Sequence, residues 1–492
     1  MTTATAPTVP ALPDGLVAVV KRECPTCVTV APVLRELAAR TALTVYTQDD
    51  LDFPEGLVPR DDTALAFSYH HRIETVPTLL RVENGAEAER TVGWHRGDWE
   101  KLTGIAGLGA GLPEWRPGCG SKSVDPDIAP ELAVRFEAHK LAARRVALAP
   151  LEDEAEALYA RGWTDGLPVV APTERRVLAM LTGTPRAPDE VVAVVAPDLV
   201  PATVEKIAIN AVMAGCRPEY LPVVIAAIEA VCDEAFDLHG VSATTNAPAP
   251  LVIVNGPIRS ELEINSGAGV FGPGARANAT IGRAVRLVCV NLGGARPGDV
   301  SMSTLAHPGR YTYCIGEHEE ASPWESLAVE HGFASDQSTV ALLAADAPLG
   351  VYAQRSRTPD DLLPTLAASM AVVSHHRMTH WGDTLLVLSP EHAKILGDAG
   401  WKKGEVKRWL HERLQWPVRE LIAGRDGGEG LPEHVLAKYA DPDRETTRIP
   451  KFRSPEHIKV MVAGGTAGRF SAIVPGWTFS KGSNLVFRRI DR

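Results

Sequence analysis

Residues 16–27 constrain this chain more than any other stretch. A β-rich run, Leu16 to Arg22, leads into Glu23-Cys24-Pro25-Thr26-Cys27, and the following VTVAPVLRELAAR carries apolar side chains at helical spacing. A CxxC at a strand-to-helix junction puts both cysteines in the first turn of the helix. Free backbone N–H groups and the positive end of the helix dipole there favour a thiolate at Cys24. Cys24 is therefore the attacking thiol. Cys27, one turn further in, is the resolving thiol that displaces a partner's sulfur from the mixed disulfide. The competing reading, a structural zinc site, lacks a second CxxC to complete four thiolate ligands.

The elements that follow are a strand over LTVYTQ, a helix over TALAFSYHH, the tripeptide Val76-Pro77-Thr78, strands over TLLRVENG and AERTVGW, and a helix from about 97 to 105. In this order of elements, residues 14–106 resemble a thioredoxin-like domain. The resemblance implies that Pro32 kinks the CxxC helix and that Pro77 is a cis-proline beside the cysteines, cis bonds being nearly confined to proline. Pro25-Thr26 replaces the Gly-Pro of general thioredoxins, so no redox potential carries over. Residues 1–13 lack the basic start and apolar run of a signal peptide and read as a disordered leader.

A length of 492 residues exceeds one ordinary core and implies two to four domains. No apolar run approaches the roughly 18 residues that span a bilayer, so the expectation is a cytoplasmic protein without a membrane partner. Fifty Lys and Arg against 61 Asp and Glu, without a basic block, argue against nucleic acid. Seven cysteines, odd and sparse, suit a reducing compartment where thiols are catalytic, metal-bound or buried.

After the last helix comes a segment dense in Gly and Pro, read as a connector over 107–140 in which the first domain has ended. It contains Pro117-Gly118-Cys119-Gly120-Ser121-Lys122. Glycine neighbours leave backbone N–H groups free to approach the Cys119 thiolate or an anion, and Lys122 adds positive charge; both are expected to lower the thiol pKa. A short tether would let Cys24 reduce an oxidised Cys119 within the chain.

Residues 141–492 alternate β-rich runs with helical stretches, an α/β region that divides into one or two subdomains. Strands are expected over 190–196, 250–256, 286–292, 338–345, 384–390 and 459–465, and helices over 203–214, 219–232, 276–287, 360–373 and 390–398. No convincing internal repeat emerges, although LVIVNGPI and VMVAGGTAG are similar strand-to-glycine transitions.

Three constellations stand out in this region. The glycine-rich loop from Asn265 and Ser266 to Arg276 and Asn278 feeds a helix and offers an anion site, with plain turn chemistry as its rival. The stretch from His307 and Arg310 through Cys314 to Glu317 and Glu319 concentrates acid–base groups. His307 or Glu317 would supply a proton there and Glu319 accept one, against the reading of a solvated acidic turn. His376 and His380, four apart, would share a helix face and form a weak metal pair without an HExxH signature. Cys216, Cys232 and Cys289 read as core residues, and Gly215 as a helix C-cap.

Together with PGCGSK, the segments GLPVVAPTERRV, NAVMAGCRPEYLPVV, GARANATIGRA, HPGRYTYCIGEHEEASPWE and LVLSPEHA resemble the UGSC-motif (seleno)protein family of bacteria. That family is named for a selenocysteine-Gly-Ser-Cys motif, in which cysteine replaces selenium in some members. The resemblance places Cys119 at the selenocysteine position and implies redox chemistry at a chalcogen nucleophile. Lys122 stands where the second cysteine belongs, so a resolving thiol must come from elsewhere. The expectation is a thiol-dependent oxidoreductase acting on a small polar, anionic substrate through Cys119, with Cys24/Cys27 as reductant. Lys122, Asn265, Ser266, Arg276, Asn278 and Arg310 would bind the substrate. The sequence names no particular bound cofactor; an external thiol, thioredoxin-type reductant or reductase is expected to supply electrons, and a homo-oligomer is compatible with this reading. The rivals are a non-redox lyase or hydrolase or a metal-dependent enzyme, each with a regulatory thioredoxin-like domain, and a binding module with a thiol switch.

Overall fold

A computed structural model describes residues 9–136, 141–149, 151–424, 428–477 and 484–491. The chain is an α/β protein divided into two compact units, 1–140 and 141–492. The expected leader lies mostly outside the described residues.

In the first unit, strands β1 (Gly15–Val20), β2 (Leu43–Thr47), β3 (Arg60–Asp61), β4 (Thr75–Val76), β5 (Thr78–Glu83) and β6 (Ala86–Val92) are joined by helices α1 (Pro25–Arg40) and α2 (Ala66–His70). Five of these strands form a sheet in the order β3-β2-β1-β5-β6, parallel through β1, β2 and β3 and antiparallel from β1 to β5 and β6. Leu16 to Val20 are buried without alternation, because both faces of the central strand are covered. Pro32 lies inside α1, as expected.

The end of this unit differs from the sequence reading. Beyond β7 (Trp94–His95) and α3 (Arg96–Thr103), residues 104–124 stay folded onto the unit and add β8 (Trp115–Arg116) and β9 (Cys119–Gly120). Side-chain donors replace the missing secondary structure: Trp94 Nε1 donates to Pro113 O at 2.6 Å, and Arg96 reaches the carbonyls of Gly109 and Leu112. Leu108 joins the core. The expected connector is thus anchored over this stretch, since satisfied carbonyls stabilise a Gly/Pro segment as a ladder would.

In the second unit, helices Glu154–Ala160 and Glu174–Leu181 precede a hairpin, β10 (Val191–Val195) and β11 (Val200–Thr203). Its frame is two four-stranded sheets. The first contains β12 (Ala249–Asn255), β13 (Cys314–Gly316), β14 (Thr339–Ala345) and β21 (Val486–Arg489) in the order β13-β12-β14-β21. The second contains β15 (Leu349–Tyr352), β16 (Thr384–Leu388), β19 (Ile458–Val462) and β20 (Phe470–Pro475) in the order β15-β20-β16-β19; β17 (Gln415–Pro417) and β18 (Arg448–Pro450) pair separately.

Side-chain alternation on these strands defines the layers. Leu251, Ile253, Ala341 and Leu343 of the first sheet share one core with Leu385, Val387, Met461 and Val474 of the second. The opposite faces pack on helices: Val252, Val254, Val340 and Leu342 on Val204–Ala214, Leu221–Val231 and Arg276–Asn291, and Leu386, Leu388, Val460 and Ile473 on Pro359–Ala371, Pro390–Asp398 and Lys403–Arg413. The result is a helix–sheet–sheet–helix sandwich.

Most expected elements appear within two residues of their positions, and Gly215 caps its helix with φ 88°. Arg286–Leu292, expected as a strand, is instead part of the helix Arg276–Asn291 through Asn291. Leu287, Val288, Cys289 and Val290 are all buried, and packing of this helix overrides the β-branched composition.

Candidate functional site

The CxxC pair sits where its sequence directs it. Cys24 is the N-cap of α1, and its sulfur accepts the Cys27 backbone N–H at 3.3 Å. The Val76–Pro77 bond is cis, and the Cys24 sulfur lies 3.5 Å from the Val76 carbonyl oxygen, to which the protonated thiol donates. Neither Cys24 nor Cys27 is exposed to solvent.

Cys119 completes the site. Strand β9 pairs antiparallel with β4, setting Cys119 opposite Val76 and Gly120 opposite Thr75. Ser121 N donates to Glu74 O at 2.9 Å, Thr26 Oγ1 to Pro117 O at 2.7 Å and Lys21 Nζ to Gly120 O at 2.8 Å. A buried network anchors the downstream end: Gln48 Nε2 donates to Ser68 Oγ and Ser121 Oγ, and its Oε1 accepts from Lys122 N. Gly118 is needed for this approach, since a Cβ there would lie 2.3 Å from Thr75 Cγ2 and 2.9 Å from Val76 O.

Three thiols therefore share one environment with unequal acidities. Cys24 is lowered to about 5, chiefly by the Cys27 thiol hydrogen bond and further by that of Cys119, against the opposing effect of burial. Burial pushes Cys27 strongly upward, and the Cys24 charge adds to the shift. Cys119, half-buried, is also raised, first by burial and then by its hydrogen bond to Cys24. The expected acidification of Cys119 is thus reversed: burial and the neighbouring Cys24 sulfur both favour its protonated form. The expected role of Lys122 also changes. Its Nζ pairs with Glu23 at 3.3 Å, and Lys21 supplies the cationic field at Cys119. Lys21, Thr26 and Gln48 were not singled out from sequence; Thr26, between the cysteines, is the one with a local signal.

The other predicted residues lie in the second unit and do not form one site. His307 and Glu317 flank the short strand β13. His307 Nδ1 accepts Gly309 N, and its ring packs edge-on to Tyr313; burial lowers its pKa. Glu317 follows β13 at the end where parallel β12 finishes in Asn255. It is fully buried and accepts from Asn255 Nδ2 at 2.6 Å and Leu327 N at 2.8 Å. Burial raises it to about 7, against the nearby Lys403 charge. Glu319 accepts from Asn255 Nδ2 and Gly256 N and pairs with Arg259 at 3.3 Å. Glu317 and Glu319 belong together at the carboxyl ends of parallel strands, a position where open α/β sheets bind ligands; His307 does not join them.

The glycine-rich loop uses its polar groups on itself. Asn278 accepts from Asn265 N and donates to Asn265 O and Cys314 O, the Ser266 carbonyl accepts Gly464 N, and Arg276 donates to Gly215 O. The turn-chemistry reading therefore accounts for these four residues better than anion binding. The shared helix face of His376 and His380 is absent, because the helix ends at Ala371 and both residues lie in a loop. Beyond the helix end, Lys451 Nζ donates to the Val373 and His375 carbonyls at 2.6 Å each. Among the described residues, no group of three His, Cys, Asp or Glu is placed to hold a metal, and no helix is long and apolar enough to cross a membrane. No family model matches the chain, and no curated protein is significantly similar to it.

Proposed function

We propose that this protein is a cytoplasmic thiol-dependent oxidoreductase in which a thioredoxin-like Cys24/Cys27 dithiol recharges Cys119, the residue that meets a small polar substrate. The observation that carries this reading is the β4–β9 ladder, which presents Cys119 opposite Val76, directly before cis-Pro77 and against the Cys24 sulfur. This is where an extended peptide would deliver a sulfur for exchange by strand addition.

The electron flow balances as thiol–disulfide exchange. When Cys119 carries a disulfide-linked thiol RS, the Cys24 thiolate attacks the Cys119 sulfur, expels RS⁻ and forms a Cys24–Cys119 disulfide. Cys27 loses its proton to solvent and attacks Cys24, releasing the Cys119 thiolate and leaving a Cys24–Cys27 disulfide. An external dithiol or thioredoxin-type reductant returns two electrons. The low pKa of Cys24 supports the first attack at neutral pH.

Thionitrobenzoate loaded on Cys119 tests the proposal. The wild-type chain should release it in a single turnover without added thiol, whereas Cys24→Ser should hold it. Retention in wild type, or equal release from Cys24→Ser, would overturn the reading. A second reading, acid–base chemistry without electron transfer, draws on Glu317 and its raised pKa. Turnover that persists in Cys24→Ser/Cys27→Ser without external thiol would favour it.

A further inference from the structure

The second unit contains a separate cationic pocket, unrelated to the thiol chemistry. Arg286, on the third turn of the helix Arg276–Asn291, and Arg310, in the turn after His307, line one cavity with Cys289, Ser242, Ala249 and Pro250. The enclosed part of the cavity is small, about 10 Å³, and it opens to solvent at its mouth. Both guanidinium groups are substantially desolvated: burial lowers Arg286 and brings Arg310 down to about 10, with the Arg286 charge adding to the Arg310 shift.

Desolvated cations are ordinarily paired. Among the described residues neither of these has a carboxylate partner. Arg286 makes one hydrogen bond, from Nη2 to Ala295 O at 3.2 Å. The acid whose field reaches it, Asp165, is already held by Nε and Nη2 of Arg283 at 2.8 Å each. The side chain of Arg310 makes no hydrogen bond or ion pair among the described residues. Its field comes from Arg286 and Cys289. Two like charges facing a single cavity repel each other, and their planar donor forks match the paired oxygens of an oxyanion.

We infer that the Arg286–Arg310 pocket binds a small oxyanion, a carboxylate or a free phosphate, held between the two guanidinium groups. Its apolar wall, Ala249, Pro250 and Leu238, leaves the anionic end as the part of the ligand that the pocket recognises by charge. Arg310 carried a sequence signal because it lies in the polar cluster beginning at His307. Arg286 sits within an apolar helical run and carried none.

Thermal unfolding of the full-length chain in sodium acetate, sodium phosphate and sodium chloride at matched ionic strength tests the inference. The midpoint should rise by about 3–6 °C in acetate or in phosphate relative to chloride. Acetate alone raising it identifies a carboxylate site, and phosphate alone identifies a phosphate site. The rise should vanish in Arg310→Gln, and Arg310→Lys should restore only part of it because lysine lacks the planar fork. Equal midpoints in all three salts, or an undiminished rise in Arg310→Gln, would overturn the inference. Equilibrium dialysis with radiolabelled phosphate and acetate provides the readout should Arg310→Gln shift the baseline midpoint.

Discussion

Cys119 and Val76 face each other across a two-residue antiparallel ladder, an arrangement that turns a glycine-flanked thiol into a fixed neighbour of Cys24. The residue between Val76 and β5 is cis-Pro77, so the ladder lies at the edge of the CxxC site. Docking of this segment coincides with complete burial of Cys24.

Gly118 controls that docking. Gly118→Val would drive a branched side chain into Thr75 and Val76 and release the segment. The rate of Cys24 alkylation by iodoacetamide at pH 7 should then rise at least about tenfold, equivalent to ~1.4 kcal/mol of lost docking. Peptide mass spectrometry resolves Cys24 from the other thiols. An unchanged rate would mean that the ladder does not gate access.

The legibility of the chain follows from the range of its interactions. The CxxC, Pro77 and the strand–helix order were readable because each rests on local chemistry: a helix N-terminus, a fixed φ, a period of two or 3.6 residues. Cys119 was noticed for its glycines, yet its ladder was not, because residues 104–124 are held by Trp94, Arg96 and Gln48 from distant positions. The same limit hid the likeness of the two sheets. In each, a central strand, β12 or β16, has one parallel neighbour, β13 or β19, and one antiparallel neighbour, β14 or β20. By this pattern LVIVNGPI corresponds to LLVLSPEH, not to VMVAGGTAG. His307 and Glu317 looked like one cluster because they are close in sequence, but a strand of extended chain separates them.

Cys24 should titrate well below an ordinary thiol. Thiolate absorbance at 240 nm, taken as wild type minus Cys24→Ser, should have a midpoint near pH 5. Cys27→Ala should move it upward further than Cys119→Ala, because the Cys27 hydrogen bond is the larger cause. A midpoint above pH 8 would contradict this assignment.

The same shift has a consequence for stability. The folded Cys24 pKa is depressed, so the folded state holds fewer protons between about pH 5 and the unfolded value near 8.5. This contribution is fully present above the unfolded pKa and is lost as pH falls through about 5. Reduced wild type should therefore gain on Cys24→Ala in thermal midpoint between pH 6 and pH 8. A constant difference would show that the thiolate is not selectively stabilised.

Glu317 should behave in the opposite sense. Its folded pKa is raised from 4.5 to about 7, so its contribution is present below 4.5 and lost as pH rises through 7. Glu317→Gln keeps an acceptor for Asn255 and Leu327 while removing the charge. Its midpoint should improve relative to wild type between pH 5 and pH 8. Glu317→Ala strands both donors and should destabilise by about 1–3 kcal/mol for each, measured by urea unfolding. A pH-independent difference for Glu317→Gln would contradict the raised pKa.

The most direct test of electron transfer between Cys24 and Cys119 uses Cys27→Ser, which removes the resolving thiol. Reduced Cys27→Ser treated with one equivalent of oxidised glutathione should yield, after proteolysis, a peptide pair joined by a Cys24–Cys119 disulfide as its main product. Glutathione adducts on Cys24 and Cys119 without a bond between them would contradict the proposed exchange.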